Sequence, residues 1–319
     1  MLTVRFWGVR GSLPTPGRET AVFGGNTSCL EIRAIPSAGR TAGKNQAKER
    51  LIIIDLGSGV RPLGDWLIKN DLKKFGKIKA DIFITHTHWD HVMGFPMFNP
   101  IYKPGTELTI TGPVSMDNED IKSILEYQFL HKYWPVRATD LAANIEYRQI
   151  KEETVNLGDG LIIKSKFLNH PINCLGYRIY FEDKSIATVF DHEPFHDIPA
   201  ADSQKTNLHE KIKKEKTKVK GKIAADTENE KIRKFIKDAD MVIHDAQYMK
   251  DEYNFHLGWG HCSYDHAIQS TINNGIKKAV LFHHDPTRTD SQLKKLEKIH
   301  ANSKDPLIVL AKEGMLLEA

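Results

Sequence analysis

The sequence predicts a layered α/β fold, and three observations carry that expectation. Short apolar runs of the kind that form buried strands recur at 51–54, 80–84, 185–190, 240–243 and 278–282. Between them stand segments whose apolar residues have helical spacing, at 60–74, 117–130 and 263–274. The strand-like runs also end alike, in an acid or a histidine: Asp55, His86, His170, Asp191, Asp245 and His283. In layered α/β folds, sites gather outside the carboxyl ends of strands, so positions far apart in the chain can converge there.

Taken in order, residues 2–9 read as a strand, followed by the Gly/Pro-rich loop Arg10 to Gly17. Gly24-Gly25-Asn26-Thr27-Ser28 turns the chain into a second strand, Cys29 to Ala34. Such a turn either aims N–H groups at a phosphate or simply connects two strands, and its ordinary turn formers favour the connection. Residues 36–49 read as a solvated, mobile loop. Asp55, at the end of the apolar strand 51–54, needs partners because an unpaired buried charge is costly. It either binds a metal or, the favoured reading, accepts N–H groups that hold a neighbouring loop. The helix at 117–130 carries Ile121, Ile124, Leu125, Gln128 and Phe129 on one side. The aromatics Phe129, Tyr133 and Trp134 line a substrate entrance or, as large aromatics more often do, serve burial. Strands at 161–167, 175–181 and 185–190 follow, the last two as an antiparallel pair, then 240–243 and 278–282.

The chemistry concentrates in His86-Thr87-His88-Trp89-Asp90-His91, which places four metal-competent side chains within one short turn. Imidazoles beside a carboxylate suit zinc and its first-row neighbours better than calcium or magnesium. Three widely spaced cysteines, an odd number, argue against a disulfide framework and for a reducing cytoplasm. No run approaches eighteen apolar residues, so no membrane span is expected, and the N-terminal residues lack a secretory core. A net charge of +4 is too small to imply nucleic-acid binding by itself. It is uneven, however: Lys205 to Lys222 holds eight lysines against two glutamates.

HTHWDH, with His170, Asp191 and His283, resembles the motif pattern of metallo-β-lactamase-fold hydrolases. The likeness runs from Asp55 to His283. It implies one domain over 1–319 with a four-layered αβ/βα sandwich and two divalent metal ions, zinc first, with manganese or iron as alternatives. By that resemblance His86, His88 and His170 hold one ion, Asp90, His91 and His283 the other, and Asp191 bridges them, while Asp55 supports the histidine loop. His284 adjoins His283 and remains the alternative ligand. An aspartate rather than a cysteine at 191 suits two-metal phosphoester chemistry, in which ions roughly 3.5–4 Å apart lower the pKa of water toward 7 and supply hydroxide. Asp90 is expected to orient that nucleophile.

Gly260-His261-Cys262-Ser263 resembles the glycine-histidine-serine motif of tRNase Z-like members, which implies that His261 meets the scissile phosphate and assists the leaving oxygen. His244-Asp245-Ala246 resembles their histidine-glutamate-alanine segment, so Asp245 either orients His261 or is structural. FWGVRGSLPTPG, GGNTSC, FDHEPF and LFHHDP resemble the branch related to cyclic-nucleotide phosphodiesterases. The leading expectation is therefore a phosphodiesterase acting on 3′,5′-cyclic nucleotides, with RNA as the alternative, and commonly a homodimer. An acyl hydrolase acting on lactones or thioesters and a catalytically silent sensor share the fold; His261 argues against the first and the full ligand set against the second. Compared with that pattern the chain carries a basic insertion at about 200–230, with Leu208, Ile212, Val219 and Ile223 as an apolar seam. It is either an RNA-capturing arm or, since it lacks interleaved arginines and aromatics, a solvated helix.

Overall fold

The computed structural model describes residues 1–37, 49–196 and 208–319, with the side chains of 208–220 left out of the description. Among the described residues there are fourteen strands: β1 (Leu2–Gly8), β2 (Cys29–Ala34), β3 (Arg50–Ile54), β4 (Ile78–Phe83), β5 (Thr106–Pro113), β6 (Asn144–Ile150), β7 (Thr154–Gly158), β8 (Leu161–Phe167), β9 (Leu175–Phe181), β10 (Lys184–Val189), β11 (Met241–Asp245), β12 (Lys278–Phe282), β13 (Leu307–Leu310) and β14 (Leu316–Glu318). They form two seven-stranded sheets, ordered β14-β1-β2-β3-β4-β5-β6 and β13-β12-β11-β10-β9-β8-β7.

The alternation of strand side chains fixes the layers. Ile52 and Ile54 of β3, Met241 and Ile243 of β11, and Val280 and Phe282 of β12 share one core between the sheets. Their neighbours Leu51 and Ile53 face outward and pack with Val60, Leu63 and Leu67 of the helix Val60–Leu67. On the far side, Ala279 and Leu281 meet the helices Tyr264–Thr271 and Asp290–His300 through Tyr264, Ala267 and Leu293. Val242 meets Ile232 and Ile236 of the helix Leu208–Ile236. Central strands buried on both faces read as continuous apolar runs, which is why they were visible in the sequence. The arrangement is the expected four-layered αβ/βα sandwich.

The edges differ from expectation. β6 and β7 close one end of each sheet with mostly polar, half-exposed sequences, NIEYRQI and TVNLG, whose alternation is short, resting chiefly on Ile145 and Tyr147 in one and Val155 and Leu157 in the other. Glu146 and Arg148 on β6 help that edge resist pairing with another chain. The helix expected over 117–130 is shorter, Ile121–Glu126 with a tight turn after it, started by the Asp120 side chain accepting from Ser123 N at 2.6 Å. Phe129 is buried and Trp134 donates to Tyr102 Oη at 3.0 Å, whereas Tyr133 is exposed. Most of the 36–49 loop, residues 38–48, and the stretch 197–207 of the basic insertion lie outside the described residues; the remainder of that insertion is helical.

Strand direction positions the site. β3 and β4 are parallel, as are β10, β11 and β12, and β8 runs with β10 because each is antiparallel to β9. The carboxyl ends that deliver Asp55, the histidine loop, His170, Asp191, Asp245 and His283 therefore gather at one end of the sandwich.

Candidate metal centre

Three of the strand-end residues leave their strands in the left-handed region: Asp55 at φ +61°, Asp191 at +47° and His283 at +60°. L-residues seldom adopt this conformation, and each costs of order 1 kcal/mol that surrounding contacts must offset. The turn directs each side chain back across the strand ends, where the donor atoms converge.

They converge in two groups. His86 Nε2 and His170 Nε2 stand 3.0 and 2.9 Å from His88 Nδ1, and Asp191 Oδ2 lies 3.3 Å from His86 Nε2. In the second group, His91 Nε2 and His283 Nε2 are 3.3 Å apart. Each is also within 3.3 Å of both Asp90 Oδ2 and Asp191 Oδ1. An ion with four ligands at ~2.05 Å sets those ligand atoms about 3.3 Å from one another. The second group has that spacing throughout the distances given, the first comes near it with His170 Nε2 at 3.9 Å from Asp191 Oδ2, and Asp191 offers one oxygen to each.

The electrostatics also call for positive charge. Asp191 Oδ1 is enclosed yet accepts no hydrogen bond of good geometry, a rare state for a buried carboxylate oxygen. Burial, then His91, pushes the His86 imidazolium far below its ordinary pKa, and burial takes His170 down to about 4, leaving both rings neutral and their lone pairs free. Burial opposes the charge on Asp191, but His283, His91 and His86 hold its carboxyl well below the usual range. His91 is driven up against its burial by Asp191, Asp90 and Asp55. A cation would satisfy what a proton on His91 satisfies only in part, so the donor set fits two divalent ions.

The next layer of contacts sets each ring. Asp55 accepts from His91 Nδ1 and Thr85 N, both at 2.7 Å, and from Thr85 Oγ1 and Ser28 Oγ at 3.0 Å. This frees His91 Nε2 for the centre, the usual job of a carboxylate behind a ligating imidazole. His170 Nδ1 donates to Gly260 O at 3.0 Å, His283 Nδ1 to Gln247 Oε1 at 2.9 Å, and Asp90 Oδ2 accepts from Ser12 N at 2.7 Å. His284 is buried and turned away: Tyr264 Oη and Ala311 O occupy its two nitrogens, each at 3.0 Å. A Cβ on Gly11 would stand 2.4 Å from His283 Cε1, so the N-terminal loop can pass there only as glycine. The Gly24–Ser28 turn has its donors engaged internally, for example Asn26 N with Glu313 and Thr27 N with Ser58.

His261 Nδ1 donates to Asp245 Oδ2 at 2.7 Å, and its ring stacks on His283 with centroids 4.9 Å apart. Asp245, the shorter acid in that segment, reaches the ring without difficulty. Burial would lower the His261 pKa, but Asp245 and Asp191 raise it to about 9. Glu193 completes the enclosure, accepting from Gly258 N and Gly260 N at 2.9 Å and so gripping the loop ahead of His261. Gly11 and Ser12 lie in FWGVRGSLPTPG and Glu193 in FDHEPF, but nothing in those motifs disclosed their roles, and Gln247 lies in none of the motifs singled out.

Comparison with known proteins agrees with this architecture. No family model matches the chain. It is 25% identical over 305 residues to a ribonuclease Z of Staphylococcus epidermidis, covering 88% of each protein. Among solved structures it resembles YhfI of Bacillus subtilis, a metallo-β-lactamase fold protein, with a TM-score of 0.61, 15% identity and 100% and 99% of the two chains covered. It also resembles the short form of human tRNase Z, with a TM-score of 0.55, 17% identity and 99% and 98% covered. Two sheets flanked by helices, two donor groups on one shared edge and these likenesses lead to one statement: the chain is a metal-dependent hydrolase of the metallo-β-lactamase fold, similar to ribonuclease Z.

Proposed function

We propose that the chain hydrolyses phosphodiester bonds in RNA in the manner of the ribonuclease Z proteins it resembles. The observation that carries this reading is the Asp191 carboxylate shared between two donor groups, with the His261–Asp245 pair stacked against one of them. His86, His88, His170 and Asp191 would hold one divalent ion, and Asp90, His91, His283 and Asp191 the other. Neutral imidazoles with carboxylates favour zinc, with manganese or iron as substitutes. Two such ions lower the pKa of water and polarise a phosphoryl oxygen.

The chain's own groups supply the remainder. Asp90 Oδ2, fixed by Ser12 N, would be one of the second ion's ligands and would orient the attacking oxygen. His261, kept protonated by Asp245, faces the phosphate and passes its proton from Nε2 to the leaving alkoxide. Acyl transfer needs no such donor, which weighs against lactone or thioester hydrolysis. The same site chemistry would serve 3′,5′-cyclic nucleotides, but the relatives favour RNA. A single domain, a homodimer and a reducing, cytoplasmic setting complete the proposal; the last is supported by three buried cysteines, all free. Among the described residues no helix is long and apolar enough to cross a membrane.

The test is a panel of a 3′-extended tRNA precursor, a set of cyclic nucleotides and bis(p-nitrophenyl) phosphate, run with metal-loaded protein. Cleavage of the precursor above the cyclic nucleotides is expected. Hydrolysis of lactones or thioesters with every phosphodiester left intact would overturn the reading.

A further inference from the structure

The chain has five tryptophans, and their burial divides them by position. Trp7, Trp66 and Trp134 are partly buried against the outer helices and the sheet. Trp89 and Trp259 are 57% and 61% exposed, and each adjoins the metal centre. Trp89 lies between His88 and Asp90. Trp259 precedes Gly260, whose carbonyl accepts from His170, and stands two residues before His261.

Neither indole is exposed because its backbone is loose. The Trp89 turn is closed by His91 N donating to His88 O at 3.0 Å and Met93 N to Trp89 O at 2.8 Å. Trp259 sits between the two residues whose N–H groups Glu193 grips. Its ring meets His256 edge-on at 5.0 Å, and His256 stacks on Tyr248 at 4.2 Å. Both indoles thus stand in water on backbones that are pinned beside a reactive centre, where a flat aromatic face is available to a bound base. The two positions are also linked through the centre: His88 Nδ1 contacts His170 Nε2 at 2.9 Å, and His170 Nδ1 contacts Gly260 O at 3.0 Å. The residues that carry the two indoles thus adjoin opposite ends of the contact chain His88–His170–Gly260, one on a loop from each sheet.

We propose that Trp89 and Trp259 are stacking platforms for the two nucleobases on either side of the scissile phosphate. The inference rests on the phosphodiesterase reading and deepens it. Every base offers a π-face, so an indole platform binds single-stranded nucleic acid with little regard to sequence. Two platforms astride one phosphate match an open dinucleotide step. A cyclic mononucleotide has one base and can engage only one of them.

The test measures binding by calorimetry with metal-loaded protein and three probes: the dinucleotide ApA, its analogue lacking both bases, and 3′,5′-cyclic AMP. Wild type is expected to prefer ApA over the abasic analogue. Trp89→Ala and Trp259→Ala should each shrink that preference about tenfold, the size of one base–aromatic stack. Trp89→Phe and Trp259→Phe should keep most of it, and cyclic AMP should respond to only one alanine variant. Equal losses on ApA and the abasic analogue would overturn the proposal, since that pattern means a damaged loop. So would an unchanged ApA affinity, or a change in sedimentation behaviour alone, which would make the indoles a contact between copies. Hydrolysis of bis(p-nitrophenyl) phosphate by wild type is read in parallel. If it fails while base preference holds, the phosphodiesterase reading falls and the platforms stand; if it succeeds without base preference, only the platforms fall.

Discussion

Asp55→Asn separates charge from shape at the base of the centre. Asparagine matches aspartate in size and tolerates the left-handed backbone at +61°, so neither cavity nor strain is introduced. What changes is the acceptor. Asp55 takes hydrogen bonds from four donor atoms, on His91, Thr85 (backbone and hydroxyl) and Ser28. Bonds to a charged acceptor contribute about 1.5–3 kcal/mol each, and neutral ones about 0.5–1.5 kcal/mol. The amide also has a single acceptor oxygen, so one or two donors lose their partner. A loss of about 3–5 kcal/mol in unfolding free energy of the metal-free protein is expected from urea denaturation. The His91 ring loses the carboxylate that fixes its tautomer, and a tenfold to hundredfold weaker second ion is expected, about the usual cost of removing such a partner. Competition with a chromogenic chelator reads the two ions separately. Two ions bound with wild-type affinity in Asp55→Asn would refute the argument that Asp55 sets the ligand.

His261→Ala should lower phosphodiester turnover by about 10²–10⁴-fold while metal content stays at the wild-type level, because a lost proton donor costs about that much; metal analysis and kinetics on one preparation check both. His283→Ala should lose one ion. His284→Ala should keep both and lower stability by about 2–4 kcal/mol, as expected for a buried ring with both nitrogens engaged. In the metal-free protein the folded pKa of His261, about 9, lies above its unfolded value, so its contribution to stability is complete below about 6.5 and fades as pH rises through about 9. Denaturant midpoints should fall across that window in the wild type and stay flatter in Asp245→Asn, and metal loading should lower the His261 pKa followed by NMR. Gly11→Ala should weaken the second ion by pressing on His283, with the first unaffected, as the same chelator assay would show.

What the sequence disclosed and what it withheld follow from the range of the interactions. The histidine loop was legible because its donors sit within six residues, and β3, β11 and β12 because strands buried on both faces are continuous apolar words. β6 and β7 were not, since each rests on little more than two alternating apolar residues among polar ones, too short a pattern to stand out. Gln247, Ser12 and Glu193, which hold His283, Asp90 and the Gly258–Gly260 loop, act on residues 36, 78 and up to 67 positions away, and no local pattern encodes such pairings. His283 and His284 look alike in a list of letters; the left-handed turn at 283 sends one ring inward, while the next is bound to Tyr264 and Ala311. The exposed Trp259 carried no mark at all, because exposure belongs to the fold and not to the residue type.

Each donor group draws on both halves of the sandwich: His86 and His88 face His170 across the seam, and Asp90 and His91 face His283. Cations seated there would act as rivets through two stacked plates, and in a chain whose cysteines are all reduced they would be its main crosslinks at that rim. Chelation should then let the plates part at the riveted rim first, so that amide exchange speeds up around residues 85–91 and 191–193 while the opposite rim stays shut.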